Sequence, residues 1–475
     1  MGKRVGCMFS AIVLFAALAL FGCSGATQKE NVDIRVWTYY NGDQLAAFQD
    51  HIEEFNATVG ADEGIHVEGY NLGSVDDLKD AALDSVRGKV GAEPVPNVVM
   101  AYADTAYSID QMGMVADLTP YFTDEERDLY IDGYLEEGTL GGAGTIKIFP
   151  IAKSVELFVL NKTDFEPFAQ ATGVTTSDLQ TFEGLVEVSR KYYEWTDSQT
   201  PEPDDGKAFC GFDSMANYCF IGAKQLGVSL VSVDDGEVVL DFDKQVARKL
   251  WDCYYVPFLQ GYFDATGRYR SDDIKTGNII SLVGSSSGAT YFPDQVVDEN
   301  NFEHSIEMEV LAAPLFAGGE AWAVQQGAGM VVLDTSDEEV EASVRFLKWF
   351  TEPEQNVKFS VSSGYLPVTK SANSMDMVRA AAPDLSDRMD QVLSMGISTV
   401  ESNTLYTPPA FERGSEFRDV LEYSMKNLAS SDLQVVEELV GSGTSRSDAV
   451  APYLTDAHFE KWYSQTLSQL EGLVR

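Results

Sequence analysis

Basic side chains are scarce in this chain of 475 residues: 33 Lys and Arg stand against 75 Asp and Glu, a formal charge of −42. A field of that sign repels phosphate backbones and excludes nucleic acid as a partner. It also disfavours long-range capture of anionic solutes. Histidine is rarer still, with His51, His66, His304 and His458 on separate segments, and there is no HExxH, no CxxC and no paired-His spacing. No metal or cofactor is therefore expected. Of the five cysteines, Cys210, Cys219 and Cys253 lie in the body of the chain. They allow one disulfide in three pairings, or simply reduced, buried thiols. Beyond residue 21 no apolar run approaches the ~18 residues that a bilayer span needs.

The one long apolar run stands at the start. Met1-Gly2-Lys3-Arg4 is a short positive opening, Val5 to Phe21 is almost unbroken apolar sequence, and Gly22-Cys23 ends it. That is the build of a secretory leader over residues 1–22. The small residue before Cys23 resembles the bacterial lipobox, in which the Cys sulfur takes a lipid and becomes the new N-terminus. Phe21 departs from that pattern, whose place usually holds a small or β-branched residue. The expectation is a membrane-anchored, extracytoplasmic protein tethered through residues 23–31. Losing Lys3 and Arg4 with the leader takes the charge two units further, to −44. The 453 residues that remain exceed one ordinary core and predict two lobes.

Periodicity alternates between strand and helix. Val32–Tyr39, Ile65–Tyr70 and Asn97–Tyr102 read as strands, with amphipathic helices over Asp43–Phe55 and Val75–Lys89 between them. Such alternation predicts an α/β fold with parallel sheets. Further on, Lys147–Ile151 and Glu156–Asn161 read as strands around the kink Ala152-Lys153-Ser154, and Thr176–Trp195 as a long helix. Phe209–Phe212, Asn278–Val283 and Gly329–Leu333 are short strands. Met215–Leu226, Gln245–Leu259 and Glu338–Phe350 are helices, and residues 375–475 are mostly helical.

Three stretches, in order, resemble the family 1 extracellular solute-binding proteins, the maltose and glycerol-phosphate receptors of ABC importers. They are Pro96-Asn97-Val98-Val99-Met100-Ala101-Tyr102, then Pro150 through Ser154 to Leu160-Asn161-Lys162. Last come Phe346-Leu347-Lys348-Trp349-Phe350-Thr351 and Gly364-Tyr365-Leu366-Pro367-Val368. The resemblance implies a two-lobed, type II periplasmic-binding-protein-like fold, each lobe a mostly parallel sheet flanked by helices. One lobe is expected over 32–151 with 289–335, the other over 152–288 with 336–475. It also implies a monomer that hands a captured solute to ABC permease subunits by hinge closure.

A sugar site needs aromatic faces for the C–H side of the ring and a few fixed polar groups. Such groups gather at the carboxyl ends of parallel strands. Tyr40, where the first strand ends, is a candidate, with Trp37 expected in the core. Ser285 and Ser286 lie in the Gly284–Gly288 loop, and Gly327 has no side chain to hold backbone away from a solute. By the resemblance, Ser154 sits at the first crossover, Tyr365 on the ligand-contacting Tyr, and Arg418 where glycerol-phosphate receptors keep an Arg. Arg418 has a rival role, pairing with Glu422 four residues on. Departures matter too. Ser74 and Ala103 replace a Tyr and a Glu of those receptors, with Asp104 immediately after, and Phe212 and Met215 replace their paired Trp. With the acidic charge, this favours a neutral mono- or oligosaccharide over a glycerol phosphate or related polyol. A secreted glycan-active enzyme or adhesin is the rival class. Paired carboxylates such as Glu401, Asp104 and Asp213 exist, but no nucleophile elbow stands beside a His base. No catalytic residue is assigned.

Overall fold

The computed structural model describes residues 31–140, 144–234, 236–298 and 301–475. The leader expected over 1–22 and the lipid-bearing Cys23 lie outside the described residues. Among the described residues no helix is long and apolar enough to cross a membrane.

The strands, in chain order, are β1 (Val32–Thr38), β2 (Ile65–Asn71), β3 (Val98–Ala101), β4 (Ser154–Asn161), β5 (Cys210–Phe212), β6 (Val231–Asp234), β7 (Glu237–Leu240), β8 (Ser281–Ser285), β9 (Gln295–Val297), β10 (Glu303–Ser305), β11 (Met308–Ala312), β12 (Trp322–Gln326), β13 (Gly329–Val332) and β14 (Thr404–Tyr406). β1 to β3 alternate with helices Gly42–Ala57 and Val75–Val86, as the periodicity predicts. The first sheet runs β13-β3-β1-β2, with β1 parallel to both β2 and β3 and β13 antiparallel at the edge. The second runs β14-β12-β4-β8-β5, with β11 also on β4. It is mixed rather than mostly parallel, because β4 lies antiparallel to β8, β11 and β12. The architecture is thus α/β, sheets flanked by helices, with the parallel rule holding in the first sheet only.

Each sheet has its own core. Around the first, Phe48, Ile52 and Phe55 of Gly42–Ala57 pack with Val344, Phe346, Leu347 and Phe350 of Asp337–Phe350. That second helix starts on a reciprocal cap, Ser336 with Glu339, and three acids in its first turn complement the helix dipole. The chain division differs from the expected one. β11 and β12, within 289–335, join the second sheet, whereas helices Asp337–Phe350 and Pro353–Ser363 pack on the first core. Their apolar stripes complete the face that Gly42–Ala57 leaves open, which short-range patterning does not reveal.

Two further differences have local causes. Lys147–Ile151 forms only an isolated bridge, Phe149 with Met330; Pro150 has no amide to extend a ladder. The helix expected over Thr176–Trp195 is split into a 3-10 turn, Thr176–Leu179, and a helix Phe182–Asp197, because the Thr181 side chain caps the Gly184 amide. Cys210, Cys219 and Cys253 are free and buried. Burial pushes the Cys210 and Cys253 thiols up to about 12.

β4 is the spine of the second body. All eight of its residues are buried, and they alternate between two cores. Val155, Leu157 and Val159 face a cluster with Leu282, Val310 and Ile397, while Phe158 and Leu160 face the aromatic core of Phe165, Phe209 and Phe212. Ser154 and Asn161 are polar ends, and Glu156, between Val155 and Leu157, is the one charged residue. Asn217 Nδ2 donates to its Oε1 at 3.0 Å. Burial raises its carboxyl to about 7, against the opposing pull of Asn217 and Arg418.

Leu157→Ala should cost about 2–5 kcal/mol in denaturant unfolding, the usual range for a closed core site. Glu156 gives a pH signature. Its folded value near 7 exceeds the ordinary 4.5, so the folded chain holds an extra proton between those pH values. The associated stability is present at low pH and fades as pH rises through that window, by up to about 1.4 kcal/mol per unit. Glu156→Gln should flatten this slope in melts run from pH 4.5 to 7.5, and an unchanged slope would exclude Glu156 as its source.

Candidate functional site

Three stretches of chain, 149–154, 325–330 and 364–370, run side by side where the two bodies meet. Phe149 and Met330 exchange backbone hydrogen bonds of 2.8 Å, Lys153 and Leu366 pair likewise, and Ser154 pairs with Gln326. Beside this join opens a cavity of about 440 Å³, lined by Lys79, Tyr102 and Asp104 from the first body and by Asn217, Gln325 and Arg418 from the second. A larger space of about 1390 Å³ shares Ala103, Glu137 and residues 407–411 with it.

Asp104 and Arg418, 314 positions apart, thus face one cavity. Asp104 opens helix Ala103–Asp110 directly after β3, at the carboxyl end of a parallel strand. Arg418 projects from the long helix Gly414–Gly441. Its Nη2 donates to Asn217 Oδ1 at 2.7 Å and Ser214 Oγ at 3.3 Å. Glu422, the rival partner, is instead taken up by Ser214 Oγ and the Ala216 amide. With Glu156 holding the Asn217 amide from behind, the Asn217 oxygen is turned toward Arg418. This chain of contacts holds the guanidinium at the cavity wall.

The other candidates scatter. Tyr40 is fully buried, its ring 5.5 to 5.8 Å from those of Phe48, Phe359 and Tyr365; it is core, not cleft. Successive side chains on extended backbone point opposite ways, so its neighbour takes the open side. Tyr39 lies parallel to Tyr102 with ring centroids 6.4 Å apart, and the Ala328 amide donates to its hydroxyl at 3.4 Å. Phe212 is likewise core, packed against Phe182, Tyr218, Tyr254 and Phe263. It borders a separate cavity of about 320 Å³ that also holds Glu156. Trp37 is buried as expected.

Ser154 is buried at the head of β4. Ser285 Oγ accepts from the Gly288 amide at 2.9 Å and so closes its own turn. Ser286 is fully buried, and its hydroxyl has no partner among the described residues. Gly327 has φ +93°, and an added Cβ would stand 3.2 Å from the Ala152 carbonyl and 3.4 Å from the Tyr365 ring. Glycine is required there for both reasons. Tyr365 is 5% exposed, its ring on Phe359 and Tyr40 and its hydroxyl beside Ser287 and Tyr39. Its ring is therefore part of the first core as well. Sequence reasoning missed Tyr39, Tyr102, Asn217 and Glu137. Tyr102 was findable, since it directly follows the apolar strand β3, where cleft groups are expected.

Comparison with known proteins gives the class. By fold the chain is similar to the cyclic α-maltosyl-1,6-maltose binding protein from Arthrobacter globiformis (TM-score 0.64, 17% identity, 92% of this chain and 99% of that one). UgpB from Mycobacterium tuberculosis in complex with glycerophosphocholine has a TM-score of 0.68 at 17% identity, over 94% and 98% of the two chains. The maltotriose binding protein of Thermus thermophilus bound with maltotriose has a TM-score of 0.61 at 14% identity, over 93% and 100%. At these identities the likeness is one of fold. Comparison with curated protein sequences gives no match. A family model does match, over residues 51–384, well beyond half of the chain. The chain belongs to the bacterial extracellular solute-binding proteins.

Proposed function

We propose that this protein is the solute receptor of an ABC importer, held at the outer face of the membrane by a lipid on Cys23, and that it captures a carbohydrate in the cleft between its two bodies. The observation that carries this reading is the placing of Asp104 and Arg418, from different bodies, on one cavity of about 440 Å³. That volume falls in the ordinary range of small-molecule sites, roughly 300–1,000 Å³. A solute that touches both walls binds the closed form better than the open one, and only such a difference shifts the population. The permease then meets a closed, loaded receptor.

The chemistry of the wall suits a polyhydroxylated ligand. Tyr102, 37% exposed and backed by Tyr39, offers a ring face. Asp104, Asn217 and Gln325 offer acceptors and donors for hydroxyls, and Arg418 a fixed guanidinium. Four carboxylates line the cavity, from Asp76, Asp104, Glu137 and Asp419, against two bases. This balance disfavours a ligand of net negative charge. The second reading, a glycerol phosphodiester, draws its support from Arg418, the kind of group that would hold a phosphate. The larger space beyond Glu137 gives room for a sugar of more than one ring.

A thermal-shift screen with maltotriose, monosaccharides and glycerophosphocholine separates the two readings. A ligand at a hundred times its Kd adds about 2.7 kcal/mol to the native state. For the solute that raises the wild-type melting temperature, Arg418→Ala and Asp104→Asn should each weaken binding roughly tenfold or more, the worth of a charge-assisted hydrogen bond. Unliganded melting should stay close to wild type. Titration calorimetry showing unchanged affinity in both variants would place the site elsewhere.

A further inference from the structure

Lys153 is completely excluded from solvent, a position an ammonium group takes only when paired. Its partner is Glu137, just beyond helix Asp132–Glu136 of the first body and with its own side chain 5% exposed. Lys153 Nζ also donates to the Gly327 carbonyl at 2.7 Å. The main chain of the same residue exchanges hydrogen bonds with Leu366, 3.2 Å one way and 2.6 Å the other. One residue thus ties together all three stretches of the join, and its ion pair attaches them to the first body. Gln325 Nε2 adds a bond of 3.0 Å to the Glu137 carboxylate. Gly327 lets the two stretches run this close, since a Cβ there would stand 3.2 Å from the Ala152 carbonyl. Glu137 is also part of the cavity wall that holds Asp104 and Arg418.

We infer that the Lys153–Glu137 pair is the fastening of the hinge, and that a bound solute engages it by donating a hydroxyl to Glu137. The carboxylate is then shared between solute and Lys153, so filling the cleft acts directly on the place about which the bodies turn. The inference rests on the solute-receptor reading above. Its physical basis is that hinge motion is absorbed by a few residues, and three stretches bonded to one side chain must turn together. Removing one member of such a pair leaves an uncompensated buried charge, so the join loosens when either is lost.

The fastening is tested without any solute, on the full chain, by hydrogen exchange read by mass spectrometry. Glu137→Gln keeps the shape of the side chain, and the double variant Glu137→Leu with Lys153→Met leaves no orphan charge. Both remove the tie of Lys153 Nζ to Glu137 and the double variant also its bond to the Gly327 carbonyl, so both should speed exchange roughly tenfold or more at residues 151–153, 326–329 and 364–367, while β1, β3, β8 and residues 155–161 of β4 keep their protection. Unchanged exchange at the join, or equal loss in both cores, would overturn the fastening. The solute's part is tested with maltotriose and glycerophosphocholine as probes. Whichever stabilises the wild type should bind Glu137→Gln roughly tenfold more weakly; equal affinity would overturn the coupling. If neither probe shifts the wild-type melting point, the receptor reading fails for these solutes and the coupling falls with it, while the exchange result still decides the fastening.

Discussion

Three strands of backbone have to pass between two separately cored bodies, and every polar group they bring to that dry join needs a partner. An unpaired buried amide or carbonyl costs about 1–3 kcal/mol, so the stretches pair with each other. Phe149 bonds Met330, Lys153 bonds Leu366 and Ser154 bonds Gln326. The arrangement confines flexibility, because each body is rigidified by its own sheet and core. Relative motion is left to a narrow ribbon, and the cleft opens beside it.

The cleft follows from this layout. The carboxyl end of β3 delivers Tyr102 and Asp104 on one side, and the helix Gly414–Gly441 delivers Arg418 on the other. Behind Arg418 stands a hydrogen-bonded sequence, Asn217 and then Glu156, that reaches into the centre of β4. A carboxyl placed on a fully buried spine strand is costly. Its effect is to orient the amide that holds the guanidinium at the cavity wall.

Much of this was legible in the sequence, in proportion to how local the signal was. The strands and helices of the first 100 residues emerged from periodicity because β-branched runs, caps and apolar stripes act within a few residues. Arg418 and Asp104 were both singled out through the resemblance, Arg418 by its matching place and Asp104 as the acid next to a departure at Ala103, and both line the cavity. Tyr40 and Phe212 were misplaced for one reason. Whether an aromatic faces core or cleft depends on what lies opposite, here Phe359 and Tyr365 for Tyr40, and Tyr254 and Phe263 for Phe212. Those partners are distant in the chain. The same limit misassigned helices Asp337–Phe350 and Pro353–Ser363, whose amphipathic stripes fit either body.

By itself the sequence determined the α/β class, the strongly acidic character and the order of the elements, since composition and short-range pattern suffice for each. Only the tertiary structure decided which segments share a core, which of two adjacent tyrosines is core and which stacks on Tyr102, and that Lys153 and Glu137 meet in the join. Those outcomes depend on contacts between residues far apart in the chain, and their energy comes from burial and pairing that exist only after the chain has closed on itself.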